Sequence, residues 1–204
     1  SLIYNNESQS DDGGILATKP LILINSVVAY NFIPDGRYAP GLGIVTGLDS
    51  LLLFNNIFYH NYRGQSYDMG SEDAINLGDG RLVAYNNYFQ EGDNNLIISR
   101  GSGNIFSDTS PLISETSASD DYSLKNTSSA IGAGIPFVTL NGITYNVPAT
   151  DYSGAIRPMP SGSNPDIGAY EYPFGKVISV PSQYASIQSA IDASLTGDTV
   201  LVSA

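Results

Sequence analysis

The stretch YDMGSED, from Tyr67 to Asp73, gathers Asp68, Glu72 and Asp73 close to Tyr62 and Arg63. Glycoside hydrolysis uses two carboxyl groups on opposite sides of the scissile bond. Asp68 with Glu72 or Asp73 is the candidate pair, and Asp79 is a further acid within reach along the chain. The same acids are hard oxygen donors, so calcium is the cofactor that Asp68, Glu72 and Asp73 would take. Neither DMGSED nor GDG (Gly78 to Gly80) follows an EF-hand loop, so the calcium pattern is generic. Proton abstraction from a uronate would need a strong base, for which Arg63 and Arg100 are the candidates. An esterase site of paired aspartates and an arginine has only Asp93 and Asp108 as its nearest members.

Aromatic rings beside carboxylates can also form a sugar-binding surface, the ring packing on a pyranose face while the acids take its hydroxyls. Asp35, Arg37 and Tyr38 offer this in one segment, and Tyr62 and Tyr67 in the next, with Asp11 and Asp12 further upstream. His60, the single histidine, continues an apolar strand and reads as a surface ladder residue. Without neighbouring histidines and with no cysteine, it makes no transition-metal site.

What positions these groups is a repeat. The segment LLLFNNIFYHN (Leu51 to Asn61) is an apolar run broken by Asn55 and Asn56, and the break recurs at SLIYNNES, LILINSVVAYN and RLVAYNNYFQE. The first residue of each pair is Asn5, Asn25, Asn55 and Asn86, at spacings of 20, 30 and 31. Spacings of that size indicate stacked repeats. A second set of short strands precedes the pairs, near Ile15, Ile44, Ile75 and Ile97, and none of these strands carries a basic residue. Each repeat therefore reads as strand, strand, asparagine corner, strand, with return loops of varying length over 6–13, 32–42, 62–73 and 90–94. Asparagine tolerates a left-handed backbone at a corner better than other residues with side chains. Stacked at one corner, its amides can hydrogen-bond into a ladder.

These repeats describe an all-β chain, a parallel β-helix with three short strands per turn. The last repeat is shortened, with Asn104 only 7 residues after Ile97, and Pro111 ends regular pairing. The whole chain has 204 residues, 42% hydrophobic but only 14% charged, with a net charge of −12. That acidity argues against nucleic acid as a partner and against anionic surfaces. No run is long enough to insert in a membrane, and Ser1 opens on strand-like LIY rather than on a leader. Asn126-Thr127-Ser128 is a formal glycosylation sequon, usable only in a eukaryotic secretory pathway.

Two later segments, DYSLKNTSSAIGAG (Asp121 to Gly134) and DYSGAIRPMPSGSNPDIGAYEY (Asp151 to Tyr172), carry a resemblance. They resemble the end of secreted bacterial right-handed parallel β-helix proteins of the pectin-lyase-like superfamily, in the choice-of-anchor Q group. The matching elements are Leu124, Ser129-Ala130-Ile131, Gly134, Asp151, Gly154, Arg157-Pro158 and Asp166 to Glu171. The stretch IPFVTLNGITYNVPAT between the halves is longer and more apolar than that pattern. The resemblance implies an extracellular or cell-surface protein with a polysaccharide groove along the first strands.

The expected organisation is 1–113 β-helix coils, 114–172 a capping region, 173–179 a linker, and 180–204 the start of a second β-helix. In the cap, Ile131, Ile167, Tyr170 and Tyr172 would cover an open end, with Asp166 paired to Arg157. In the last part, Ser182 would cap a helix closed by Thr196 to Asp198 and followed by the buried strand TVLV. The expected function is a scaffold, monomeric within a longer chain, with carbohydrate bound along the loop wall. Polysaccharide lyase or glycosidase activity, and an adhesin or stalk, are the alternatives.

Overall fold

The computed structural model describes residues 1–7, 13–33, 41–44, 51–63, 75–76, 82–90, 98–113, 121–173, 177–194 and 198–203. The regular structure is almost entirely short strands. The chain opens with β1 (Leu2–Tyr4), β2 (Ile15–Ala17), β3 (Leu21–Ile24), β4 (Val27–Ala29) and β5 (Phe32–Ile33). It continues with β6 (Leu42–Ile44), β7 (Leu51–Phe54), β8 (Ile57–Tyr59) and β9 (Tyr62–Arg63). A third passage supplies β10 (Ile75–Asn76), β11 (Leu82–Tyr85) and β12 (Tyr88–Phe89), and a fourth only β13 (Ile98–Arg100) and β14 (Ile105–Phe106).

Equivalent strands pair in parallel, giving the sheets β1-β4-β8-β12-β14, β13-β11-β7-β3, β10-β6-β2 and β5-β9. Leu21, Leu51 and Leu82 stand opposite one another, as do Val27, Ile57 and Tyr88. The repeats of 30 and 31 residues are thus in register. The pair β5-β9 adds a fourth short strand where three were expected, because the chain bends again at Tyr30 (φ 57°) and His60 (φ 50°).

Register corrects three sequence assignments. Leu2 pairs with Val27 and Tyr4 with Ala29, so Asn5 (φ 52°) matches Tyr30 at the second corner, not Asn25 at the first. That mismatch produced the odd spacing of 20. Ile15 stands opposite Leu42, so the first strands align on Leu42 rather than Ile44. The strand near Ile97 joins β11 instead of β10, so it is a second strand of its repeat and not a first one.

Alternate residues of the strands face two different cores. Val28, Leu51, Leu53, Phe58, Leu82, Ala84 and Phe89 point inward with Ala17 and Leu42, and Phe58, Phe89 and Phe106 stack in a file. Val27, Ala29, Ile57, Tyr59 and Tyr88 point outward, yet they too are buried, under Leu112, Tyr122, Leu124, Ala130, Ile131, Ile167 and Ala169. Leu52 and Phe54 are covered by Val138 and its neighbours. Burial on both faces is why these strands read as continuous apolar runs rather than alternating ones. Each fully buried large side chain contributes about 2 kcal/mol.

The covering segment lies along the sheets from first strand to last, since its cluster includes both Leu2 of β1 and Ile105 of β14. Its lateral placement differs from a lid over one open end. The unusually apolar insert folds as a hairpin of β15 (Phe137–Leu140) and β16 (Ile143–Asn146), whose Val138, Leu140 and Tyr145 cover the four-stranded sheet. Its apolarity follows from that contact.

The chain then forms β17 (Val177–Val180), α1 (Ile187–Asp192) and β18 (Thr199–Val202), with β17 and β18 parallel. The strand β17 begins inside the stretch expected as linker. Ser186, not Ser182, caps the helix, in a capping box with Ser189. The carbonyl of Ser179 takes the N–H groups of both Gln183 and Tyr184, and this turn delays the helix start. The strand TVLV is largely exposed, not buried, with Leu201 and Val202 each 51% accessible.

Candidate functional site

The corners are the most ordered polar sites of the repeat. Asn25, Asn55 and Asn86 all take the left-handed conformation, with φ of 45°, 57° and 50°. The residue after each one builds a ladder. The N–H of Ser26 donates to Asn56 Oδ1, that of Asn56 to Asn87 Oδ1 and that of Asn87 to Asn104 Oδ1, each at 3.0 Å. The side-chain amides of Asn56, Asn87 and Asn104 then donate to the carbonyls of Leu23, Leu53 and Ala84 in the preceding repeat. Buried polar groups are stable only when paired in this way. In the short last repeat Gly103 (φ 73°) takes the corner position and Asn104 keeps the rung.

A second ladder runs along the other corner through Asn6, Asn31 and Asn61, with Nδ2-to-Oδ1 distances of 2.8 Å. Sequence reading missed it. Its signal is an asparagine six residues beyond Asn25 and Asn55, hidden because the bend residues before it are Tyr30 and His60.

The first asparagine of each pair has a different task. Asn25 Nδ2 donates to the carbonyls of Asp166 (2.8 Å) and Gly168 (3.2 Å). Asn55 exchanges two bonds with Ile135, from Nδ2 to its carbonyl at 2.8 Å and from its N–H to Oδ1 at 3.0 Å. Asn86 Nδ2 donates to the Ala133 carbonyl at 2.8 Å. The left-handed corner turns these amides outward and fastens the covering segment to the repeats.

Four ionisable side chains meet inside that segment, Asp151, Arg157, Asp166 and Glu171, all at most 9% exposed. Arg157 Nε lies 3.1 Å from Glu171 Oε1. Its terminal nitrogens donate to the carbonyls of Asp166, Gly168 and Ala169. Arg157 therefore pairs with Glu171 and with the Asp166 backbone, not with the Asp166 carboxylate as the sequence suggested. Asp166 accepts the N–H of Gly132 and of Tyr172, each at 2.6 Å. Glu171 accepts from Met159 and Asp166, and Asp151 from Ser153, Ala155 and Glu171.

Burial, then the neighbouring Glu171 carboxylate, raises Asp166 to about 7 against the pull of the N–H groups of Tyr172 and Gly132. Burial also raises Glu171, with Arg157 opposing. Burial would raise Asp151 too, but the N–H of Glu171 and the Ser153 hydroxyl outweigh it and hold Asp151 low. Each carboxylate is spent on backbone N–H groups of its own segment, so the cluster cross-links a loop and presents no carboxylate pair to a substrate.

Among the sequence candidates, Tyr62 is half-buried on β9, its ring 4.8 Å from that of Phe32. Arg63 follows it, opposite Ile33. Tyr170 packs edge-on to Tyr152 over the outer cluster, as a covering residue should. His60 sits at a corner rather than in a strand, stacked on Tyr30 (5.3 Å) and Tyr59 (4.4 Å), and burial lowers its pKa while Asp108 opposes. Asp11, Asp12, Asp35, Arg37, Tyr38, Tyr67, Asp68, Glu72, Asp73, Asp79 and Asp93 lie outside the described residues. Among the described residues no cluster of His, Asp or Glu could hold a metal, and no helix is long and apolar enough to cross a membrane. Comparisons with protein-family models, with curated proteins and with solved structures give no match to this chain.

Proposed function

We propose that this chain is a segment of a secreted or cell-surface right-handed parallel β-helix protein, of the pectin-lyase-like, choice-of-anchor Q kind. Its role is a rigid scaffold that contacts polysaccharide along the loops beside the first strands. The observation that carries this reading is the pair of asparagine ladders, one from Ser26 to Asn104 at the first corner and one from Asn6 to Asn61 at the second, which hold successive repeats in register. The corner asparagines and the carboxylates of Asp151, Asp166 and Glu171 are committed to bonds with backbone groups, an arrangement suited to rigidity rather than to turnover. Tyr62, packed against Phe32, begins the stretch read as a return loop, and Tyr38, Tyr67, Asp35 and Arg37 are the residues proposed to share the contact with it.

Electrophoresis through gels containing acidic or neutral polysaccharide, with product analysis of the same mixtures, tests this reading. Retardation without new reducing ends or unsaturated products is expected, and Tyr62→Ala should weaken it. Chain cleavage would overturn the scaffold role in favour of a lyase or glycosidase, with Asp68, Glu72, Asp73 and Arg63 as the first variants. Free migration in every gel would overturn the carbohydrate contact. Repeating both with calcium and with chelator tests the acidic loop as a calcium site.

A further inference from the structure

Asparagine ages by attack of the following residue's backbone nitrogen on its own side-chain carbonyl. The bond from that nitrogen to Cγ forms, ammonia leaves, and the cyclic imide is opened by water to aspartate or isoaspartate. A chain so rich in asparagine should be vulnerable. The ladders remove most of that vulnerability, because the attacking nitrogens are already engaged. The N–H groups of Asn6, Ser26, Asn56 and Asn87, which follow Asn5, Asn25, Asn55 and Asn86, each donate to a ladder carboxamide. Elsewhere, Val147 N–H, after Asn146, is bonded to Pro136, and Asn164 precedes Pro165, which has no N–H.

Among the described residues the Gly142 N–H after Asn141, like the exposed Thr127 N–H after Asn126, makes no such bond. Asn141-Gly142 is the sole Asn-Gly pair of the sequence. It forms the two-residue tip between β15 and β16, both residues exposed and both with positive φ (51° and 80°). Such a turn favours Asn-Gly for its backbone. The Asn141 carboxamide and the Gly142 N–H make no hydrogen bond among the described residues, and the space around Gly142 is open. We infer that Asn141 is the site of spontaneous deamidation in this protein, a built-in modification site at the tip of the covering hairpin.

The two products have unequal effects. Aspartate keeps the turn, since Asp-Gly suits it equally. Isoaspartate lengthens the backbone by a methylene inside a two-residue loop, breaks the Leu140–Ile143 pairing and lifts Val138, Leu140 and Tyr145 from Leu52 and Phe54.

The test is incubation of the folded chain at mildly alkaline pH, followed by peptide mass spectrometry and isoaspartyl-specific methyl labelling. Conversion at Asn141, with Asn5, Asn25, Asn55 and Asn86 intact, is expected. In denaturant the pairs should lose their protection and begin to convert. The isoaspartate fraction should melt lower than the untreated chain, while Asn141→Asp should melt with it. An intact Asn141 beside converted ladder asparagines would overturn the site. Equal conversion of the pairs in folded and denatured chain would overturn the protection.

Discussion

Replacing Asn56 by alanine should cost far more than replacing Asn6, although both are ladder rungs. Asn56 is fully buried; its amide donates to the Leu23 carbonyl (2.8 Å) and Asn87 Oδ1 (3.0 Å), and its Oδ1 accepts the Ser26 N–H (3.0 Å). Alanine strands the N–H of Ser26, a residue only 1% exposed, and removes one bond to the Leu23 carbonyl, which keeps its place in the β3–β7 ladder, whereas Asn87 Oδ1 keeps the Asn56 backbone N–H. The orphaned N–H costs about 1–3 kcal/mol, and the lost amide bonds and a small void add to it, for a total of about 2–4 kcal/mol. Asn6 is exposed, and without its amide Asn31 Oδ1 still receives the Asn6 N–H, so the cost is about 1 kcal/mol or less. In urea, with a slope of about 2 kcal/mol/M, the midpoint falls by about 1–2 M for Asn56→Ala and by about 0.5 M or less for Asn6→Ala. Should Asn56→Ala fail to fold, Asn56→Asp carries the same test. It keeps the acceptor but sets a second oxygen against the Leu23 carbonyl, so its stability should return as falling pH protonates the carboxyl. Equal midpoints for Asn56→Ala and Asn6→Ala would refute the ladder argument.

At the neighbouring position, Asn55→Ala should be less stable than Asn55→Gly by about 1 kcal/mol in the same urea assay. Both lose the bonds to Ile135, but only alanine must strain to hold φ 57°. Gly168→Ala puts a Cβ 2.6 Å from Ile57 Cδ1 at φ 107°, so the cover should loosen by about 1–3 kcal/mol, read as a lower Tm and as dye binding to exposed apolar surface. The pH dependence follows from opposed shifts. Asp166, raised from 3.8 to about 7, contributes stability that is complete below 3.8 and is lost as pH rises through about 7. Asp151, held low, contributes stability that is lost only in acid, below its ordinary value. Tm should therefore fall as pH rises from about 4 to about 7 and level off above, and Asp166→Asn should flatten that slope.

The repeat was legible because its cause is local. A left-handed corner needs a residue that tolerates it, and Asn25, Asn55 and Asn86 announce it at intervals of 30 and 31. The second corner was not legible, because no asparagine marks it: Tyr30 holds positive φ there against its own preference, and His60 stands in the equivalent place with its ring 5.3 Å away. Asn5 was assigned to the wrong corner for the same reason: its sequence neighbours look like those of Asn25, and only pairing to Val27 reveals the register. The lateral cover depends on bonds from Asn25 and Asn55 to Gly168 and Ile135, which no sequence period encodes. Ile131, Ile167, Tyr170 and Tyr172 were recognisable as covering groups, but not the surface they cover. Among the binding candidates, Tyr62 has a described stacking partner in Phe32.

Two ladders and a fastened cover make the repeats one rigid body. Native-state amide hydrogen exchange tests this most directly, through the N–H groups of Ser26, Asn56 and Asn87 in the ladder and of Ile135 and Gly168 in the cover. All five should exchange slowly with one common opening free energy, equal to that of global unfolding. Fast, independent exchange of Ile135 and Gly168, with the ladder amides still protected, would mean that the cover opens by itself and would contradict the claim.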